Sequence, residues 1–273
     1  MKPDPKDIIV AHGPSRRKQN LMLIIGIAIV VVITAWRAEV DIPTLIRDLP
    51  EGIARSQGFL IPDMSAFPKL TGSAFYTLLL ALIPTPIGII LAFLFAILAS
   101  ANLVPAPVRN VTRGIITMKR ALPEYVTMIF MAAALGLGAL PGIAAIAVGT
   151  IGMLSKIFAD AIEEIDERQF DSFDCIGASY WQKIRYLVIP AIMPTIVAQS
   201  FFRIELNMRA AGLLGAVGAG GIGYEITRSM MALEYERVST AIIVTLIFIF
   251  IIEKVSDFMR RKILADEKES LTK

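Results

Sequence analysis

Apolar runs alternate with short polar segments along this chain, and the runs are long enough to be read as membrane-spanning helices. The first, residues 20–36, is an uncharged stretch of about 17 residues, at the short end of what a spanning helix needs. Trp36 closes it, as interfacial Trp often does. A polar tail, residues 1–19, precedes it with Pro3, Pro5 and Pro14 and ends in Arg16, Arg17 and Lys18. Basic residues flank the cytoplasmic ends of spans, so the tail is expected inside. Arg37, Ala38, Glu39, Val40 and Asp41 follow the run and offer no small-residue cleavage site. It is therefore expected to remain as an anchor rather than be removed as a signal peptide.

Residues 37–71 are a mixed-charge connection with Pro43, Pro50, Pro62 and Pro68, expected on the outer face. A second span is predicted from about Ser73 to Ala99, kinked by Pro84 and Pro86. Ala92, Ala96 and Ser100 recur every four residues within it, which predicts a smooth strip for close helix packing. The next connection holds Arg109, Arg113, Lys119 and Arg120 with no acid before Glu124, a second cytoplasmic signal. Third and fourth spans are predicted at about 122–137 and 143–161, turning around Pro141. Both are rich in Gly and Ala, as suits helices inside a bundle.

A polar loop, residues 163–185, comes next. A fifth span is predicted at about 187–208, then a Gly-rich segment, then a sixth at about 238–252. Lys254, Arg260, Arg261 and Lys262 follow the sixth and lead into a cytoplasmic tail, residues 259–273. Six crossings with both termini inside satisfy the charge at the N-terminus, the second connection and the C-terminus. The loop 163–185 has more acids than bases, so its cytoplasmic placement rests on the number of crossings. The expected fold class is all-α and integral to the membrane, with a core domain over residues 72–258.

Composition agrees: 55% of the 273 residues are hydrophobic and 19% charged, far more apolar than a soluble domain of this length. The single cysteine, Cys175, excludes an internal disulfide and is expected to be a small buried or interfacial thiol. The single histidine, His12, leaves no His/Cys metal cluster. A net charge of +3 does not argue for nucleic acid, because the basic residues are spread over membrane-flanking segments.

Two stretches carry candidate chemistry. Residues 171–190, D-S-F-D-C-I-G-A-S-Y-W-Q-K-I-R-Y-L-V-I-P, are polar between apolar runs and predict a short helix-turn-helix at one membrane surface. Gly177 would relieve the backbone where two helices meet. Asp171 is expected near the front of the first piece, favoured by the helix dipole. Pro190 falls early in the next helix, where a missing N–H costs least. An ordinary polar loop is the plain alternative.

The other stretch runs from Phe202 to Ile226. Arg203, Glu205, Asn207 and Arg209 end an apolar run, and ionisable groups in a span need a partner or a watery path. Arg203 and Asn207 fall on one side of a helix, and Glu205 and Arg209 on roughly the opposite side. One pair is expected to line a pathway and the other to lock onto a neighbouring helix; alternatively all four are interfacial. Gly218, Gly220, Gly221 and Gly223 spell G-x-G-x-x-G. No βαβ unit surrounds them, so a dinucleotide site is excluded, and a tightly packed re-entrant or surface loop against a partner subunit is expected. No Walker motif occurs, so the chain holds no ATP site of that kind.

The run R-I-E-L-N-M-R-A-A-x-L-L-G-x-V-G-A-G-G-I-G-Y-E, with I-G-A-S-Y-W-Q, with E-E-I-D at Glu163 to Asp166, with R-A-L-P-E at Arg120 to Glu124 and with the closing V-S-T-A-I-I-V, resembles the permease subunit of phosphonate-type ABC importers. The likeness covers most of residues 70–262. Ser172 and Phe173 depart from the two alanines of the wider loop pattern, and Asp171 from its usual Glu.

The resemblance implies the type I importer permease fold, a homodimer, two cytoplasmic ATPase subunits that bind ATP and Mg, and an extracytoplasmic substrate-binding protein. It implies no cofactor on this chain and no enzymatic activity of its own. Asp171, Gly177, Ala178, Ser179 and Trp181 would then belong to the ATPase-coupling segment. Arg120, Glu124, Arg203, Glu205, Asn207 and Arg209 would flank the pathway, with phosphonate, phosphite or phosphate as the solute. Arginine forks suit such oxyanions. A secondary transporter of a small anion stays open on the charged residues alone, though no internal repeat supports it. An intramembrane enzyme fits less well, since Glu124 and Glu205 are single carboxylates beside arginines and His12 is remote.

Overall fold

The computed structural model describes residues 14–37 and 41–271, and the described residues form helices without a strand. His12 lies outside them. The chain divides into one unit ending at Ser56 and another beginning at Gln57.

In the first unit, α1 (Pro14–Arg37) contains the apolar stretch Lys18–Ala35. The helix thus starts inside the segment expected to be a polar tail. A second helix, α2 (Ile42–Ser56), occupies part of the expected connection. Asp41 accepts the Thr44 N–H at its start, and Glu51 pairs with Arg55 at 2.6 Å one turn on. Ile46, Leu49 and Ile53 fall on one side of α2, and Arg47, Asp48, Glu51 and Arg55 on the other.

The second unit begins its spans with α3 (Phe67–Leu82) and α4 (Pro84–Ala99). They form one apolar stretch, Met64–Ala99, interrupted at Ile83. Pro84 and Pro86 lack the N–H groups that would continue the ladder there. Further along come α5 (Ala106–Ala121), α6 (Glu124–Leu135) and α7 (Ala139–Glu163). The polar loop folds as α8 (Glu167–Cys175) and α9 (Tyr180–Lys183), leading through a π turn at Ile184–Val188 into α10 (Ile189–Leu213). The chain ends in α11 (Gly221–Met231) and α12 (Tyr235–Leu271). The expected C-terminal tail from 259 is thus a continuation of α12.

The bundle is arranged around α7, the most enclosed of the five helical stretches among the described residues that are long and apolar enough to cross a membrane. Gly88 brings α4 close: a Cβ there would sit 2.6 Å from the Thr150 Cβ. Ala92, Ala96 and Ser100 are fully buried, and the two alanines cluster with Leu154, Phe158, Ala159 and Ile162 of α7. The four-residue strip is the packing face it was expected to be.

The third predicted span is different. α6 has 12 residues, about 18 Å at helical rise, too short for a bilayer core of about 30 Å. α5 ends immediately before it, and both run antiparallel along α7. Arg113 of α5 pairs with Glu163 at the C-terminal end of α7 at 2.5 Å. Lys119 packs on Gly152 near its middle, and Glu124 lies beside Gly149. Lys119 and Arg120 therefore sit beside the middle of a span, about 16 Å along α7 from Arg113, not in a connection at its end.

Candidate functional site

The break between α5 and α6 falls at Leu122 and Pro123. Pro123 has no N–H, and Leu122 caps α5 with an extended backbone, φ −81° and ψ 126°. Two glycines of α7 face this break. A Cβ on Gly149 would lie 2.8 Å from Nη2 of Arg203 and 3.3 Å from Oε1 of Glu124, and one on Gly152 would lie 2.8 Å from Cγ of Lys119. The missing side chains leave a cleft of about 190 Å³ lined by Lys119, Arg120, Leu122, Glu124, Met153 and Arg203.

Arg203 is only 4% exposed, and burying a guanidinium is costly unless it is paired and hydrogen-bonded. Its Nε donates to the Thr150 hydroxyl at 3.2 Å, its Nη1 points to the Met153 sulfur at 3.4 Å and its Nη2 donates to Glu124 Oε1 at 2.8 Å. One turn on, Asn207 Nδ2 donates to Thr150 at 3.1 Å and to Thr85 at 2.7 Å. Both threonines pass their own protons back along their helices, to Ile146 and Ala81 carbonyls. A continuous polar thread thus crosses α6, α10, α7 and α4. Asn207 Oδ1 is its one buried atom without a partner.

Glu205 and Arg209 lie on another face of α10 and pair with each other at 2.5 Å. The structure therefore brings Arg120, Glu124 and Arg203 to one cleft and places Asn207 behind it. It does not bring Glu205 or Arg209 there. Thr85, Thr150, Gly149, Gly152 and Lys119 complete the surroundings. Lys119 reads in the sequence only as a charge in a connection, and the threonines and glycines do not stand out, because a single Thr or Gly in an apolar helix has no signature until its neighbours are known.

The polar loop has a defined geometry. Asp166 caps α8 by accepting the Arg168 N–H at 2.9 Å. Asp171 is in the middle of α8, not near its front, and the acids at the front of the helix are Asp166 and Glu167. Gly177 has φ +71°. Gly177 N–H donates to Asp174 and Ala178 N–H to Phe173, both at 3.0 Å, the paired bonds of a Schellman ending. Ser179 then starts α9 with a reciprocal capping box to Gln182, and Lys183 pairs back to Asp174. These contacts fix a tight corner whose outward side shows Ile176, 77% exposed, and Trp181, 70% exposed. Cys175 is exposed rather than buried. Pro190 follows the π turn, in which the Ile189 N–H reaches back to Ile184; the wider turn fits a ring that cannot donate.

The Gly-rich segment packs tightly on its own chain. Gly218, Gly220 and Gly221 have φ of +77°, +83° and +76°, and a short 3-10 turn leads into α11. Added Cβ atoms would meet Thr77 Oγ1 at 2.3 Å from Gly221 and the Gly212 carbonyl at 1.8 Å from Gly223. Thr77 accepts the Ile222 N–H at 2.8 Å, supplying the cap that the sequence of α11 lacks.

The family model described as the binding-protein-dependent transport system inner membrane component matches residues 84–264. The phosphate-import permease protein of Mycolicibacterium smegmatis is 35% identical over 88% of this chain, which spans 45% of that relative's length. The phosphite transport system permease protein of Stutzerimonas stutzeri is 31% identical over 85% of each chain. Among solved structures, the inward-facing MetNI methionine ABC transporter is similar in fold, with a TM-score of 0.64 at 18% identity over 74% of this chain and 99% of that one. A bacterial alginate ABC transporter aligns with a TM-score of 0.58 at 16% identity over 85% of this chain and 97% of that one. The matched region holds the cleft, the polar thread and the corner, and the chain belongs to the family of binding-protein-dependent transport system inner membrane components.

Proposed function

We propose that this chain, paired with a second copy of itself, forms the membrane pathway of an ATP-driven importer for a phosphonate or a related phosphorus oxyanion, phosphite or phosphate. The observation that carries the reading is the cleft at the middle of α7, where buried Arg203 stands with Lys119 and Arg120 beside a broken helix. Fork-shaped and ammonium donors suit a phosphorus oxyanion, and the names of the relatives favour that solute class. In this reading α5 and α6 together make the sixth crossing. Unpaired backbone at membrane depth is tolerated where it lines a wet cavity, and interrupted helices mark the solute site in other transporters.

Both termini are then cytoplasmic, and the corner around Gly177 faces one of two ATPase subunits through Ile176 and Trp181. Those subunits bind ATP and Mg; this chain catalyses no reaction. A substrate-binding protein delivers the solute at the outer end, where the glycines from Gly218 to Gly223 seat α11.

The test is purification in mild detergent from the native membrane. An ATPase recovered in equal amount, and lost when residues 171–181 become a Gly/Ser linker, is the expected result. Recovery of the chain alone, with transport in vesicles independent of ATP, would overturn the reading.

A further inference from the structure

Arg203 and Glu124 form an unequal pair. Arg203 is buried and held by two side chains of α7, Thr150 and Met153. Glu124 has a side chain 44% exposed and touches the guanidinium through a single oxygen. It is the first residue of α6, directly beyond the break. The fixed member is the cation and the adjustable member is the carboxylate. Lys119 and Arg120 line the same cleft, so three cations surround one carboxylate. The excess positive charge and the single-oxygen contact together describe a site that a second anion can enter.

We propose that Glu124 is a tethered stand-in for the solute: its carboxylate occupies Arg203 while the pathway is empty, and an incoming oxyanion displaces it. Arg203 then keeps an anionic partner throughout, so the buried charge is never left bare. The oxyanion supplies more acceptor oxygens than Glu124 does, and can engage the Nη groups of Arg203 together with Lys119. The exchange also keeps affinity low, because each entering anion must compete with a carboxylate already in place. The inference rests on the reading of this cleft as part of an oxyanion pathway.

The test is binding of inorganic phosphate to the purified full chain in detergent, by equilibrium dialysis with radiolabelled phosphate. Glu124→Gln keeps an oxygen for Arg203 but removes the competing charge, and should bind phosphate about tenfold tighter or more than the unaltered chain. Glu124→Asp keeps the charge but shortens the reach, and should also bind more tightly, so a misfolded Gln variant does not close the question. Adding Arg203→Gln to either should abolish the gain. Equal or weaker binding by both single variants, at unchanged elution volume and melting temperature, would overturn the proposal. ATP-driven uptake of phosphate or a phosphonate by the full complex tests the function separately. Uptake without a gain on Glu124→Gln removes the stand-in alone. A gain in a chain whose complex imports no phosphorus oxyanion removes the solute assignment and keeps the competition.

Discussion

Arg203 and Asn207, one turn apart on α10, donate to the same hydroxyl, that of Thr150 on α7, at 3.2 and 3.1 Å. One oxygen therefore holds both of these side chains of α10. Thr150→Val preserves the shape and removes the acceptor. A buried donor left unsatisfied costs about 1–3 kcal/mol, so the variant should lose roughly 2 kcal/mol or more, while Thr150→Ser should lose much less. Thermal unfolding of the purified chain in one detergent, with the three proteins side by side, checks the order.

Gly149 and Gly114 are both helical glycines, yet alanine should act oppositely at the two. At Gly149 the methyl group would press on Arg203 and Glu124, whereas at Gly114 nothing lies within 4 Å. Gly114→Ala should be neutral or stabilise by about 0.5–1 kcal/mol through helix propensity. Gly149→Ala should destabilise and should reduce transport, because it fills the cleft. Melting temperature and uptake, measured on the same preparations, separate the two effects.

Gly177→Ala places a Cβ on a residue at φ +71°, where a left-handed backbone costs an L-residue about 1–2 kcal/mol. Space is not the difficulty, since nothing lies within 4 Å of that Cβ. The expected result is a loosened corner and weaker ATPase capture, with little change in the melting temperature of the rest of the bundle. Trp181→Ala should weaken capture without loosening the corner, because its 70% exposed ring supports no internal contact of comparable size. Limited proteolysis between residues 171 and 183 distinguishes the two variants.

Gly223→Ala should be the most damaging single change in the Gly-rich segment. Its Cβ would fall 1.8 Å from the Gly212 carbonyl oxygen, and backbone on both sides leaves no side chain to move aside. Thr77→Val should do milder harm, about 1–3 kcal/mol, by removing the acceptor for the Ile222 N–H. Folded yield after detergent extraction should follow that order.

Much of this architecture is legible in the sequence because bilayers demand long apolar runs. The packing strip at Ala92 and Ala96, the opposed pairs on α10 and the corner at Gly177 follow from helical periodicity and from glycine's freedom. What is not legible depends on partners distant in sequence. α5 reads as a basic connection because Arg109, Arg113, Lys119 and Arg120 obey the usual charge rule, and only their contacts along α7 place the last two beside the middle of a span. α2 reads as a connection because Pro50 interrupts it and charges alternate with apolar residues. Thr85 and Thr150 look like routine helix residues until Asn207 reaches both. Asp171 looks like the front of its helix because an acid there suits the dipole, whereas the helix starts just after Asp166, five residues earlier and of the same chemistry.

The wall of the cleft formed by Gly149 and Gly152 has a thermodynamic consequence. A surface made of glycine backbone inside a packed helix has no rotamers to immobilise, so ordering it around a guest costs almost no side-chain entropy. The entropic cost of occupancy falls on the remaining lining side chains, the three cations, Glu124, Leu122 and Met153, and of these Arg203 is already held in place. If the cleft admits a solute as proposed, this wall lowers the number of degrees of freedom that occupancy freezes, which favours passage over retention.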